Sequence, residues 1–140
     1  MALCWLLCGS CSRFTEHPGL PVDAANRHLA LAAVERFRDE FNRGDCQAIF
    51  EEATGEFQKL ETNPDWLGQC EMLHATMGMW QSFTPRQTDT WQTFLAHVDG
   101  EAKFTSGVCR LKTTWSLEPG RARLFSLYLE SPTTQKRIPR

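Results

Sequence analysis

Cys109-Arg110-Leu111-Lys112-Thr113-Thr114-Trp115-Ser116-Leu117 has the two-residue rhythm of a strand with one dry face and one wet face. Cys109, Leu111, Thr113, Trp115 and Leu117 point one way, and Arg110, Lys112, Thr114 and Ser116 point to solvent. Such a strand needs partners on its edges and a cover for its apolar face. Upstream, from Thr88, Gln92, Phe94, Ala96 and Val98 alternate with Trp91, Thr93, Leu95 and His97, so both faces are partly apolar. Asp99-Gly100 follows, the dipeptide a tight type I′ hairpin prefers, and it is read as the turn. Downstream, Glu118-Pro119-Gly120 reverses the chain into a strand from Arg121 to Leu129, with Phe125, Leu127 and Leu129 on one face.

The cover comes from the preceding residues, where the period changes to that of a helix. Asp23 offers an N-cap. Behind it Ala30, Ala33, Val34, Phe37 and Phe41 form one apolar stripe, predicting a helix to about Asn42. Glu35, Arg36, Arg38, Asp39 and Glu40 read as its polar side, with Arg36 placed to meet Glu40 at i,i+4. Arg43-Gly44-Asp45 reads as a joint, Gly44 past the helix end and Asp45 capping the next helix, rather than as an adhesion tripeptide. The second helix is short, turns Ile49, Phe50 and Ala53 inward and stops at Gly55; Phe57 and Leu60 continue the buried side irregularly. Thr62-Asn63-Pro64-Asp65 starts a third helix with a capping side chain, an early Pro and an acid near the positive end of the dipole. Trp66, Cys70, Leu73, Met77 and Trp80 then recur at steps of four and three, a core stripe. The expected fold class is α+β, three N-terminal helices packed on a curved antiparallel sheet.

At 140 residues the chain suits one domain. Its 41% hydrophobic and 23% charged content is that of a folded protein. The net charge of -2 supplies no basic field for nucleic acid. Met1 to Ser10 is an apolar run ending in small residues before Cys11. It resembles the back end of a secretory or lipoprotein leader with Cys11 as the lipidated residue, and it is shorter than the roughly 20 residues a membrane span needs. Residues 1–21 are thus read as leader-like segment and tether, 22–131 as the domain and 132–140 as a flexible tail. The expected location is periplasmic or lipid-anchored at the membrane, with a cytoplasmic location as the alternative. Cys46, Cys70 and Cys109 stand singly at apolar positions and read as buried small hydrophobes in preference to a disulfide pair.

No cofactor motif, metal-ligand spacing, nucleophile elbow or phosphate loop occurs, so no cofactor and no metal are expected. Asp89 and His97 sit near aromatics and share a strand face, but on one continuous strand about 26 Å would separate them. His74 could border a pocket, and His28 lies on the first helix's polar side. Trp91, Leu95 and His97 are the candidate ligand-binding residues.

Val34-Glu35-Arg36-Phe37, Phe41-Asn42-Arg43-Gly44-Asp45, Ala48 to Ala53, Phe57, the Trp66 to Trp80 helix and the hairpin strands together resemble the NTF2-like (cystatin-like) superfamily, closest to small bacterial exported proteins or lipoproteins. The likeness spans about Asp23 to Leu129. It implies a cone-shaped cavity used either for binding or for acid/base catalysis of the isomerase or dehydratase type, and it carries over no catalytic residue. Such proteins usually close the sheet with a further strand, which is lacking after Leu129; the open edge is expected to be covered by a partner subunit, as in a homodimer, or by the tail. The expectation is a non-catalytic protein that binds a small hydrophobic ligand or a protein partner. The alternatives are a cavity enzyme using Asp89, His97 or His74, and a structural assembly subunit.

Overall fold

The computed structural model describes residues 20–21, 23–91 and 94–130, with the backbone alone at 20, 21 and 91. The order is β1 (Leu20–Pro21), α1 (Ala24–Asn42), α2 (Cys46–Glu52), α3 (Gly55–Leu60), α4 (Asn63–Met77), β2 (Trp80–Trp91), β3 (Leu95–Phe104), β4 (Gly107–Glu118) and β5 (Arg121–Glu130). The α+β class therefore holds: helices, then four long antiparallel strands in sequential order, with β1 as a two-residue strip beside β2. Leu20 and Pro21, assigned to a tether by sequence, pair with Thr90 and Asp89.

Local chemistry accounts for the helix boundaries. Asp23 accepts from the Asn26 amide at 2.8 Å and starts α1. Asp45 does the same for α2 through Ala48. Among the described residues there are four helices where three were expected, because Gly55 opens α3 instead of merely stopping α2: the Thr54 hydroxyl accepts from the Phe57 amide and supplies a new N-cap. Gly78, at φ 76°, ends α4 at Met77.

Trp80 consequently belongs to a strand, not to the helix whose stripe it completes. Its side chain is nonetheless 2% exposed, so the burial reading survives the change of backbone. Asn42 at the end of α1 fixes this start like a short partner strand. Its side-chain oxygen accepts from the Trp80 amide at 2.7 Å, and its amide donates to the Trp80 carbonyl at 2.9 Å. Phe37, Phe41 and Phe104 surround the indole, with Phe104 stacked at 5.5 Å and Phe37 edge-on at 5.6 Å. Aromatic pairs of this kind add about 0.5–1.5 kcal/mol each beyond burial.

The expected hairpin at Asp99-Gly100 is corrected. Both residues lie inside β3, opposite Gln87 and Pro85 on one side and Lys112 and Leu111 on the other. Gly100 is required there for close approach: a Cβ would stand 2.4 Å from the Thr84 carbonyl oxygen and 2.6 Å from the Phe83 ring. The true reversals fall between Trp91 and Leu95 and at Thr105-Ser106. The second tip docks on the end of α4, the Ser106 amide donating to the Met77 carbonyl at 3.1 Å. Most of β2, before Thr88, was not read as strand from the sequence, and β5 stands at the sheet edge among the described residues. In β5 a register shift opposite Thr114-Trp115 moves the inward set from Ala122 and Leu124 to Leu127 and Leu129, so Phe125 falls out of the expected row.

The expectation of free cysteines is corrected in one pair. Cys46 and Cys70 form a disulfide with their Cα atoms 6.0 Å apart, tying α2 to α4, while Cys109 is a buried thiol. Trp66 Nε1 donates to the Cys46 carbonyl at 2.8 Å across the same joint.

Candidate functional site

The inner face of the sheet meets the helices through Ala96, Val98, Ala102, Phe104, Cys109, Leu111 and Trp115, all buried. By the pleat alternation, Leu95, His97, Asp99 and Glu101 stand on the opposite face. Leu95 and His97 therefore do not line the space between helices and sheet, and the side chain of Trp91 lies outside the described residues. Cys11 lies outside them as well. His28 is exposed. His74 stacks obliquely on Phe41 with ring centroids 5.4 Å apart, behind the Leu73 that borders the interior.

Three recesses among the described residues bear on function. The first is a crevice between α1, α4 and the sheet, lined among others by Phe41, Leu73, Met77, Phe104, Leu127 and Leu129. Every lining residue is apolar, none can titrate, and the open volume is about 20 Å³. That is space for roughly one water-sized group. Leu73, Leu127 and Leu129 are only half-buried, so its mouth is built from side chains that can change rotamer.

The second recess, of about 240 Å³, lies on the outer face and is lined by Gln87, Asp89, His97, Val98, Asp99, Lys112 and Thr113. Here the structure reverses one sequence argument. Asp89 and His97 are not strung along one strand. The chain reverses between them and makes them direct cross-strand partners, with Thr114 next in the row. His97 Nδ1 lies 2.9 Å from Thr114 Oγ1. In the neighbouring row Arg110 forks onto Asp99 at 2.7 and 3.2 Å, and this guanidinium holds the Asp99 carboxyl below its ordinary range. Lys112 sits 6.0 Å over the Tyr128 ring.

The third recess was not found from sequence at all. Glu40, placed on the polar side of the first helix, is 5% exposed and faces inward beside Phe37, Ile49, Trp115 and Leu124. Glu52, at the end of α2, lines the same recess, so the two carboxyls face one another. Burial first, and then this acidic neighbour, push Glu40 up to about 7. Arg36, expected to pair with Glu40, instead binds Glu52 at 3.3 Å and donates to the Ala122 carbonyl at 3.1 Å. The signal was present: Glu40 is seven residues after Ala33 and three after Phe37, within the arc that α1 buries. The open volume here is about 10 Å³, too little for a substrate beside the two carboxyls.

Among the described residues, no group of three or more His, Cys, Asp and Glu side chains could hold a metal ion. Among them also, no helix is long and apolar enough to cross a membrane. No protein-family model and no curated protein sequence matches the chain.

Proposed function

We propose that this chain is a non-catalytic binding module of the NTF2-like (cystatin-like) kind, which takes a slim apolar group into the crevice beneath α1 and α4. The apolar group is an alkyl end of a small ligand or an aliphatic side chain of a protein partner. The observation that carries this reading is the lining of the crevice: wholly apolar, without a titratable group, and rimmed by half-buried leucines. Helices followed by a sequential antiparallel sheet, with the long first helix against the inner face, support the family reading. The Cys46–Cys70 disulfide supports export, since such bonds persist in oxidising compartments. Lipidation at Cys11 belongs to the same proposal.

The test is fluorescence titration of the purified, oxidised chain with dansyl-tagged undecanoic acid. Saturable binding that Leu73→Trp abolishes and Leu95→Ala leaves unchanged supports the crevice. Binding insensitive to Leu73→Trp contradicts it.

A second reading, a small acid/base enzyme, draws on the Asp89–His97–Thr114 row beside the outer recess. A loss of dansyl-acid binding in His97→Gln, with Leu73→Trp inert, would move the site to that face. An assembly role draws on β5: beyond Leu124 its outer edge has no strand partner among the described residues. A monomer by light scattering at high concentration removes that role.

A further inference from the structure

We propose that Glu40 and Glu52 form a proton-operated latch that holds the C-terminal end of α2 against α1 and β5. Glu40 and Glu52 line one recess, with Arg36 on Glu52 at 3.3 Å; two such carboxyls can hydrogen-bond each other only while they share a proton, so the contact belongs to a protonated pair and is lost when both ionise. The latch is independent of what the crevice binds.

The two ends of α2 are held by different chemistry. At the N-terminal end the Cys46–Cys70 disulfide and the Trp66 indole hydrogen bond fasten the helix to α4, and neither changes charge between pH 5 and 9. At the other end α1, α2, β4 and β5 bring polar and charged groups to the joint. From α1 come Glu40, Arg36 and, at longer range, Arg43. From α2 comes Glu52. From β5, Arg123 donates to the Glu52 carbonyl at 3.2 Å and to the Ala53 carbonyl at 2.7 Å. Glu118 of β4 balances Arg123 and Arg121, and these two guanidinium groups hold its carboxyl below the ordinary range. Trp115 and Leu124 close the recess without charge. When Glu40 ionises, a buried carboxylate faces a second one, with Arg36 already engaged by Glu52 and by Ala122. The relief available is for the C-terminal end of α2 to swing away, pivoting on the disulfide and breaking its bonds to Arg123 and Leu124. Raising Glu40 toward 7 places this change inside the physiological range.

A native reporter sits beside the latch: the Thr54 amide donates to the Leu124 carbonyl at 2.9 Å, joining the segment after α2 to β5. Hydrogen exchange of the oxidised full chain, corrected for the intrinsic pH dependence of exchange, should show Thr54 protection falling on the order of fiftyfold between pH 5 and pH 8.5. Protection at Leu111 in the core should exceed that at Thr54 at every pH and fall only as far as global stability does. In Glu40→Gln, whose amide donates to Glu52 at every pH, Thr54 protection should stay flat. Equal pH dependence in wild type and Glu40→Gln, or none in wild type, overturns the latch. If Glu40→Gln does not fold, carbon-detected titration of the wild-type Glu40 carboxyl decides: a midpoint near 7 supports the latch, and one in the ordinary glutamate range refutes it.

Discussion

Two recesses open along one face of α1 and differ in kind. At Phe41 the helix meets α4 and the sheet across a crevice of apolar side chains only. At Glu40, the preceding residue, it meets α2 and β5 across two carboxyls and a guanidinium. Phe37 lines both. The contrast shows how little sequence separates a surface indifferent to pH from one governed by it. A single acid inside an apolar arc is enough, provided a second carboxyl is close enough to share its proton.

The largest effect should come from breaking the apolar side. Trp80→Ala removes the indole around which Phe37, Phe41 and Phe104 pack, and should cost about 3–5 kcal/mol in denaturant unfolding. Its pH dependence should remain that of the wild type, because the carboxyl pair is untouched. Opening the Cys46–Cys70 bond by Cys→Ser at both positions acts on the fixed end of α2. With a sequence separation of 24 between the cysteines, the expected loss is about 3 kcal/mol.

Breaking the acidic side should change the slope with pH. The folded protein holds the Glu40 proton up to about pH 7, against an ordinary value of 4.5, so it binds more protons than the unfolded chain in between. This contribution is complete below about pH 4.5 and is lost as pH rises through about 7, up to about 3 kcal/mol in all. Urea midpoints measured from pH 4.5 to 8 should show that fall in the wild type and lack it in Glu40→Gln. The smallest effect is a control on α2 that spares both recesses. Asp45→Ala removes the cap on Ala48 and should cost about 1 kcal/mol at every pH.

The sequence showed which residues would be dry more clearly than where the backbone would turn. Trp66, Cys70 and Met77 are buried as their spacing required, and so is Trp80, although it begins a strand. Trp80 to Trp91 escaped notice as a strand because Pro85 and a register shift at Pro85/Gln87 break its alternation. Asp99-Gly100 misled because a strand crowded by a neighbouring carbonyl selects glycine as strongly as a tight turn does. That error kept Asp89 and His97 apart on paper, whereas pairing places them side by side. Neither the disulfide nor the carboxyl pair could be read from spacing, since each joins elements whose relative placement tertiary packing decides.

Methyl chemical-shift mapping during titration of the oxidised chain with dodecanoate addresses the proposed crevice most directly. The prediction is a saturable response confined to Leu73, Met77, Leu127 and Leu129, with Leu95 and Leu60 silent. A response centred on Leu95, or none up to the solubility of the acid, would contradict it.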